Sequence, residues 1–247
     1  MTEDFRPLGT TGRALPSGYT DGVQVPVRLG RYGEQAVVPM GSFRQMLADE
    51  GSYFFAQNAT IDAATTLAGH AAPVLADLYT KPFLFMRHGG GLSSLTRVYL
   101  DFIHIQVITA GANGTSDNWA AECDTGASRN SSAGTALTKV NPNMQSAAAS
   151  VCTIVGGAPV AAAATASQRL MGHGVFRPAI AVTGDKYTFR FGQDPVEVGV
   201  VATATSHHVV PMPPVVLGPT DQFLLHLYAP SQTAAGVYKV SMGWWER

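Results

Sequence analysis

The segment GVYKVSMGWWER, residues 236–247, decides the fold expected of this chain, because it combines a period of two with two adjacent tryptophans. Successive side chains of an extended strand point to opposite faces, so Trp245 lies on one face and four large side chains share the other: Tyr238, Val240, Met242 and Trp244. An aromatic side chain buries roughly 150–250 Å², which places it in a core or an interface. The segment therefore predicts a strand that closes a sheet. If Trp244 packs inward, Trp245 faces outward or toward a neighbouring subunit.

The segment TRVYLDFIHIQVITAG, residues 96–111, predicts the longest strand, from about Arg97 to Thr109. Strict alternation divides it into one face with Tyr99, Asp101, Ile103, Ile105 and Val107, and another with Val98, Leu100, Phe102, His104 and Gln106. Apolar residues on both faces indicate a central strand that is covered on both sides over part of its length. Asp101 stands among apolar neighbours, which predicts a buried ion pair with Arg97 or Arg190.

Other strand-like segments are separated by turn signals, giving about eight strands in all. They include KPFLFMRH (81–88), SVCTIVGG (150–157), QFLLHLYAP (222–230), and a predicted hairpin around Gly184-Asp185 formed by residues 175–184 and 185–192. Residues 111–150, rich in Asn, Ser, Thr and Gly, break the pattern into short pieces. One short turn of helix is expected before Gly51, and the Ala-rich residues 158–172 predict a helix or, alternatively, a packed loop or strand. Together these patterns predict an all-β fold, a jelly-roll-like antiparallel β-sandwich over residues 43–247.

Residues 1–42 differ from the rest of the chain, since they hold seven glycines and four prolines without a helical or strand period over most of their length. This composition predicts an extended N-terminal arm, or alternatively a disordered tail. Residues 23–40 alternate and contain β-branched side chains, which suits a strand added to another protein. The arm carries four arginines: Arg6, Arg13, Arg28 and Arg31.

The composition argues against several classes of function. Charged residues make up 13% of the chain, against a usual share of about 25%, so much of the surface is expected to be covered by partners. The net charge of −1 gives no basic footprint for nucleic acid and no polybasic patch for a membrane. The start of the chain lacks a signal-peptide pattern. Cys123 and Cys152 are expected to be free thiols.

The sequence motifs that suggest chemistry are incomplete, so we expect no enzyme, no cofactor and no metal site. The HGGG segment, residues 88–91, is similar to an esterase oxyanion loop, but the chain has no Gly-x-Ser-x-Gly elbow, and a hairpin tip is the expected structure. His207 and His208 are adjacent, so on a strand they point to opposite faces and cannot easily share one ion. His104 and His226 fall within apolar strands and are expected to be hydrogen-bonded core or interface residues.

Three segments carry a resemblance to a known class of protein: residues 30–40, 48–73 and 215–247. Together with the Ala-, Gly- and Ser-rich spacing between strands, they resemble auxiliary virion proteins of tailed bacteriophages, the class that includes capsid cement (decoration) proteins. The resemblance implies a jelly roll, a homotrimer and an arm lying over the capsid exterior, with the major capsid protein as partner. It also implies that the four arm arginines contact an acidic shell, and that Trp244 and Trp245 belong to a subunit interface.

Two other functions remain open at the level of sequence. A head or tail fibre or its receptor-binding tip would also be a β-rich trimer, with few copies and exposed aromatic residues that bind glycans. A carbohydrate-binding or carbohydrate-active β-sandwich would be a monomer or dimer with a cleft, and Asp101 would be the candidate acid.

Overall fold

The computed structural model describes residues 43–58, 66–71, 80–125, 129, 132–192 and 206–247. All of these residues belong to one compact unit, Gly41–Arg247. The predicted arm, with Arg6, Arg13, Arg28 and Arg31, lies outside the described residues, so its role stays a prediction.

Strands make up nearly all of the regular structure described. The helix α1 spans Phe43–Asp49, as expected before Gly51, whose φ of 74° turns the chain into the first strand. The strands are β1 Tyr53–Gln57, β2 Leu67–Ala68, β3 Leu84–His88, β4 Val98–Thr109, β5 Asp117–Asp124, β6 Thr135–Ala136, β7 Thr138–Val140, β8 Cys152–Gly156, β9 Arg169–Arg177, β10 Lys186–Phe191, β11 His207–Met212, β12 Val216–Leu217, β13 Gln222–Tyr228 and β14 Val237–Glu246. Within the described ranges, no helix has the length and apolar character needed to cross a membrane.

The strands form two sheets that pack face to face. Sheet 1 has the order β11-β10-β4-β14-β1-β7, with β12 beside β4 and β2 beside β14. Sheet 2 has the order β6-β8-β3-β13-β5-β9. Eight of these strands form the framework of the sandwich, four in each sheet and all paired antiparallel: β1-β14-β4-β10 in sheet 1 and β3-β13-β5-β9 in sheet 2. Taken in chain order, these eight change sheet at every step except from β5 to β9. This is a jelly roll, and the predicted all-β sandwich is confirmed.

Strand β14 behaves as its sequence period predicts. Its inward side chains are 7%, 3%, 0% and 0% exposed: Tyr238, Val240, Met242 and Trp244. Trp244 stacks on Phe54 with ring centroids 6.0 Å apart, and its indole Nε1 donates a hydrogen bond of 2.9 Å to Oε1 of Glu246. Trp244 therefore packs inward, in the core of its own chain. Its predicted place in a subunit interface was wrong, because its side chain is fully buried within the chain; for Trp245 that place stays a prediction.

Strand β4 departs from strict alternation at Asp101. Gly243 pairs with Phe102 and Trp244 with Leu100, so Asp101 has no opposite residue on β14 and forms a β-bulge. The bulge shifts the phase of the strand by one residue. The inner face consequently holds Val98 and Leu100 together with Ile103, Ile105 and Val107, all at most 2% exposed. The predicted division of this strand into two faces was wrong for the residues before the bulge.

Two further expectations were wrong. Strands β9 and β10 lie in different sheets, so they form no hairpin. The buried carboxylate of Asp185 accepts hydrogen bonds from Arg177 Nη1 at 2.6 Å and from Val182 N at 2.8 Å in the connection between the two sheets. Residues 111–150 are not only short pieces, because they contain β5, a central strand of sheet 2 whose two faces are both covered.

The Ala-rich segment, for which a helix, a loop or a strand was predicted, is a loop followed by the start of β9.

Candidate interaction surfaces

The outer face of sheet 2 is covered by the chain itself. Residues 158–168 run over it, and Ala161 forms a small second core there with Phe85 and Leu224. Thr165 N donates a hydrogen bond of 2.9 Å to Asp124 Oδ2, which ties the far part of this segment to β5. This face is thus closed to large partners where the segment crosses it.

Beneath this segment lies a buried group of charges, here called the Arg129 cluster: Arg129, Glu122, Asp124 and His226. Arg129 is 1% exposed, and its Nη1 lies 2.7 Å from Glu122 Oε1 and 3.6 Å from Asp124 Oδ2. Its Nε donates a hydrogen bond of 3.0 Å to the carbonyl oxygen of Ala162 in the covering segment. His226 Nε2 lies 3.3 Å from the same Glu122 oxygen. One guanidinium therefore joins two carboxylates of β5 to the segment that covers them.

The electrostatics of the cluster favour charged carboxylates. Burial acts to raise the pKa of Glu122, but hydrogen bonds from His226 and Arg129 outweigh it and lower that pKa. Burial likewise opposes ionisation of Asp124, whose pKa is lowered by hydrogen bonds from Thr165 and Thr125 and by the charge of Arg129. These groups are held by partners within the chain, so the arrangement fastens the covering segment rather than presenting an acid–base pair to a substrate. Among the described residues, no group of three or more His, Cys, Asp or Glu side chains is placed to hold a metal ion.

Another buried acid, Asp117, lies between the two sheets. Asp117 accepts a hydrogen bond from the hydroxyl of Tyr187, and burial raises the pKa of Asp117 to about 7, helped by the charge of Asp185. The side chain lines a cavity of about 10 Å³ together with His70, Tyr228 and Tyr238. A space of that size holds about one water molecule, so it offers no room for a substrate.

The histidines singled out by sequence have the structural surroundings expected of them. Thr188 Oγ1 lies 2.9 Å from both His104 Nδ1 and His207 Nε2, which forms a polar chain on the outer face of sheet 1. His208 points to the opposite side, where its ring lies 5.6 Å from that of Phe176 and its Nε2 is 2.7 Å from Ser206 Oγ. The two adjacent histidines therefore do lie on opposite faces, as predicted. Cys123 and Cys152 are both free thiols.

The HGGG segment forms a braced loop. His88 is fully buried, its Nε2 lies 3.0 Å from the carbonyl oxygen of Thr96, and its Nδ1 accepts a hydrogen bond of 3.0 Å from Gly90 N. A Cβ at position 89 would come within 2.6 Å of the carbonyl oxygen of Val151, so glycine is required there. The loop that these contacts hold in place carries Leu92 and Leu95, whose side chains are 84% and 89% exposed. Neither leucine was predicted to be functional, although both lie within four residues of the end of the HGGG motif.

Three loops and the final residues meet at one end of the sandwich. Asn143 Nδ2 donates to the carbonyl oxygen of Asp49 at 2.8 Å, and Gly89 N donates to the carbonyl oxygen of Val151 at 3.0 Å. Val151 N in turn donates to Glu246 Oε2 at 3.1 Å. This end, here called the apolar end, exposes Leu92, Leu95 and Met144, the last at 89%. Its border with sheet 1 is formed by Tyr99 and Trp245.

Trp245 occupies the outer face of sheet 1. Its ring is half-buried and stacks on Tyr99 of the neighbouring strand, with centroids 5.5 Å apart and planes within 4°. Asp101 lies on the same side, is buried and forms an ion pair, but its partner is not one of those predicted and is itself half-exposed. Arg44 Nε and Nη2 donate to it at 2.5 Å and 2.6 Å, and Tyr53 Oη donates at 2.8 Å. The predicted partners Arg97 and Arg190 were wrong, because the short helix α1 delivers Arg44 to the bulge.

The strand register divides the outer face of sheet 1 into two halves. The apolar half carries aromatic side chains from three neighbouring strands, with Val140 and Val216 at its borders: Phe55, Tyr99, Phe102 and Trp245. In the basic half, four side chains stand side by side on β14, β4, β10 and β11: Lys239, Gln106, Lys186 and His207. Ser241, His104 and Thr188 separate the two halves. Comparisons of this chain with protein-family models, curated proteins and solved structures found no match.

Proposed function

We propose that this chain is a structural virion protein of a tailed phage, a capsid cement (decoration) protein that binds the shell exterior as a homotrimer and stabilises it. Its partner is the major capsid protein. The sequence resemblance supplies the class, and the jelly roll is compatible with it. The observation that carries the proposal is the apolar end, where Leu92, Leu95 and Met144 are each more than four-fifths exposed. Exposed apolar clusters in water-soluble proteins mark surfaces that a partner covers.

The apolar end suits a contact between copies of the chain. Rigid loops present preformed anchors, so little conformational entropy is lost when a neighbour covers them. Its leucines lie in a loop whereas Trp245 and Tyr99 lie on a sheet, so two different patches meet in a head-to-tail contact. Contacts of that type close into rings when the rotation between subunits allows it, and a trimer is the smallest such ring beyond a dimer.

The first test of this function is the copy number of the chain in purified particles that carry it. We expect hundreds of copies per particle, quantified against the major shell protein by mass spectrometry. A few to a few dozen copies would favour the fibre or tail function. Absence from particles would contradict the virion proposal and return attention to carbohydrate binding.

Replacing both loop leucines with serine, Leu92→Ser with Leu95→Ser, should dissociate the trimer without unfolding the jelly roll. Covering a leucine is worth about 1.5–3 kcal/mol, so losing two per contact should weaken self-association by at least about 100-fold. Sedimentation velocity across micromolar concentrations measures the effect. Leu170→Ser is the matched control, since Leu170 is 58% exposed on the edge strand β9 of sheet 2. Equal trimer stability in the double variant and the control would contradict the proposed interface.

A carbohydrate-binding function is a second candidate because of one observation. The parallel stack of Trp245 on Tyr99 at the surface offers aromatic faces of the kind on which sugar rings pack. If glycan arrays detect a ligand whose binding is lost in Trp245→Ala, while the chain is present in only a few copies per particle, the receptor-binding function is favoured over cement.

A further inference from the structure

The described surface is basic although the whole chain has a net charge of −1. The described residues include nine acids, of which six are buried: Asp101, Asp117, Glu122, Asp124, Asp185 and Glu246. They also include twelve lysines and arginines, of which one, Arg129, is buried. Three acids and eleven cations therefore remain at least partly exposed. Two of those cations, Arg44 and Arg177, are engaged by buried carboxylates.

The sheet-1 outer face concentrates part of this positive charge. Lys186 and His207 are exposed and Lys239 is half-buried, all in the one row that crosses four strands. Arg190 is exposed on the same face, but it lies opposite Phe102 and therefore on the apolar side of the dividing row, so it does not belong to the basic half. Among the described strands, Asp101 is the acid of this face, and Arg44 neutralises it. The face thus presents an apolar half beside a half whose charged side chains, among the described residues, are positive.

The middle of this face has no groove above Gly243, because aromatic side chains fill that space. A Cβ at position 243 would come within 2.2 Å of Tyr53 Oη and 2.6 Å of Phe102 Cε1, so the aromatic ring occupies the space above Gly243. Four strands spaced about 4.8 Å apart make the basic row roughly 15 Å wide. A wide, filled surface with charge on one side matches the form of a protein–protein contact better than that of a sugar-binding cleft.

We propose that the sheet-1 outer face docks on an acidic protein surface through its basic half, with the neighbouring Phe55 and Phe102 covered by the same contact, whereas Tyr99 and Trp245 are left to the contact between copies. Identification of that surface as the outer shell rests on the proposed function. A second copy in face-to-face contact is disfavoured, because it would place like charges opposite one another. Acidic groups of a different protein supply the complementary charge.

The test compares two variants with the same change in net charge: Lys186→Glu on the proposed face and Arg169→Glu on β9 of sheet 2. Binding of the full chain to particles stripped of it is measured at 50 mM and 200 mM salt. We expect Lys186→Glu to weaken binding at least about tenfold, and Lys186→Glu with Lys239→Glu to weaken it further, because attraction becomes repulsion at each site. Arg169→Glu should bind like the native chain, and the native affinity should fall with salt.

The outcomes separate this inference from the proposed function. If the native chain binds and both single reversals bind equally well, the docking face is wrong while the cement function stands. If the native chain does not bind particles, its retention on a column of immobilised polyglutamate is measured instead. If Lys186→Glu abolishes that retention and Arg169→Glu does not, the acidic docking face is upheld, with a different partner. Lack of retention overturns it. Binding to an uncharged glycan that Lys186→Glu leaves unchanged also overturns it.

Discussion

Replacement of Arg129 with alanine should destabilise the jelly roll by about 3–5 kcal/mol, because it leaves the Glu122 and Asp124 carboxylates buried without their cation. It also removes the hydrogen bond to the carbonyl oxygen of Ala162, which fastens the covering segment to sheet 2. Since a domain is stable by only about 5–15 kcal/mol in total, the variant should lose a large part of its stability. Urea unfolding followed by tryptophan fluorescence measures the difference.

Removal of a carboxylate together with the cation provides the control. Glu122→Gln in the Arg129→Ala background should restore part of the lost stability, because an amide costs less to bury without a charged partner. The double variant should therefore be more stable than the sum of the two single effects predicts. A loss below about 1 kcal/mol in Arg129→Ala would show that solvent reaches the cluster and that the covering segment is not held by it.

The ion pair of Glu122 with Arg129 also makes the stability of the folded chain depend on pH. Burial acts to raise the pKa of Glu122, but hydrogen bonds from His226 and Arg129 hold the folded-state pKa below its ordinary value. The stability contributed by this carboxylate is present above the ordinary pKa of about 4.3 and is lost as the pH falls through the lowered value. Arg129→Ala removes part of that lowering. The gap in unfolding free energy between the native chain and the variant should therefore be unchanged near neutral pH and should narrow as the pH falls below the ordinary pKa of about 4.3.

The predictable parts of the fold are those in which one strand follows one pattern. Strand β14 has no inserted residue between Tyr238 and Glu246, so its period of two correctly grouped Tyr238, Val240, Met242 and Trp244 on one face. Strand β4 carries the inserted residue instead, and a single bulge at Asp101 reversed the faces of everything before it. Nothing in an apolar run such as residues 98–107 marks which residue will be left unpaired.

The features that sequence could not predict depend on which faces of a strand are covered by distant segments of the same chain. Both faces of strand β5 are buried: one faces the core between the sheets, and residues 158–168 cover the other, which carries Glu122 and Asp124. Its sequence therefore lacks the apolar–polar alternation that identifies a half-exposed strand. Arg129 reaches these acids from the loop after β5, and Arg44 reaches Asp101 from 57 positions earlier in the chain. Partners of buried charges are set by the tertiary fold, so local spacing suggested the wrong ones.

Trp244→Ala should cost about 3–5 kcal/mol, the usual effect of removing a fully buried large aromatic side chain. The change opens a cavity beside Phe54 and deprives Glu246 Oε1 of the indole donor. Thermal unfolding should show a decrease in Tm of roughly 10 °C for a domain of this size. Trp244→Phe keeps an aromatic ring in the core and should lose less than half as much stability.

The adjacent Trp245 is the matched control, because it has the same chemistry on the opposite face of the same strand. Trp245 is half-buried and packs on Tyr99 at the surface, so Trp245→Ala should cost about 1 kcal/mol in unfolding free energy. If Trp245 belongs to the contact between copies, its removal should nevertheless weaken self-association by about tenfold or more, whereas Trp244→Phe should leave it unchanged. Equal losses of stability in Trp244→Ala and Trp245→Ala would contradict the inward and outward assignment. One strand thus places side chains of two kinds side by side: the even positions from 238 to 244 pack in the core of the sandwich, and the odd positions lie on the outer face of sheet 1.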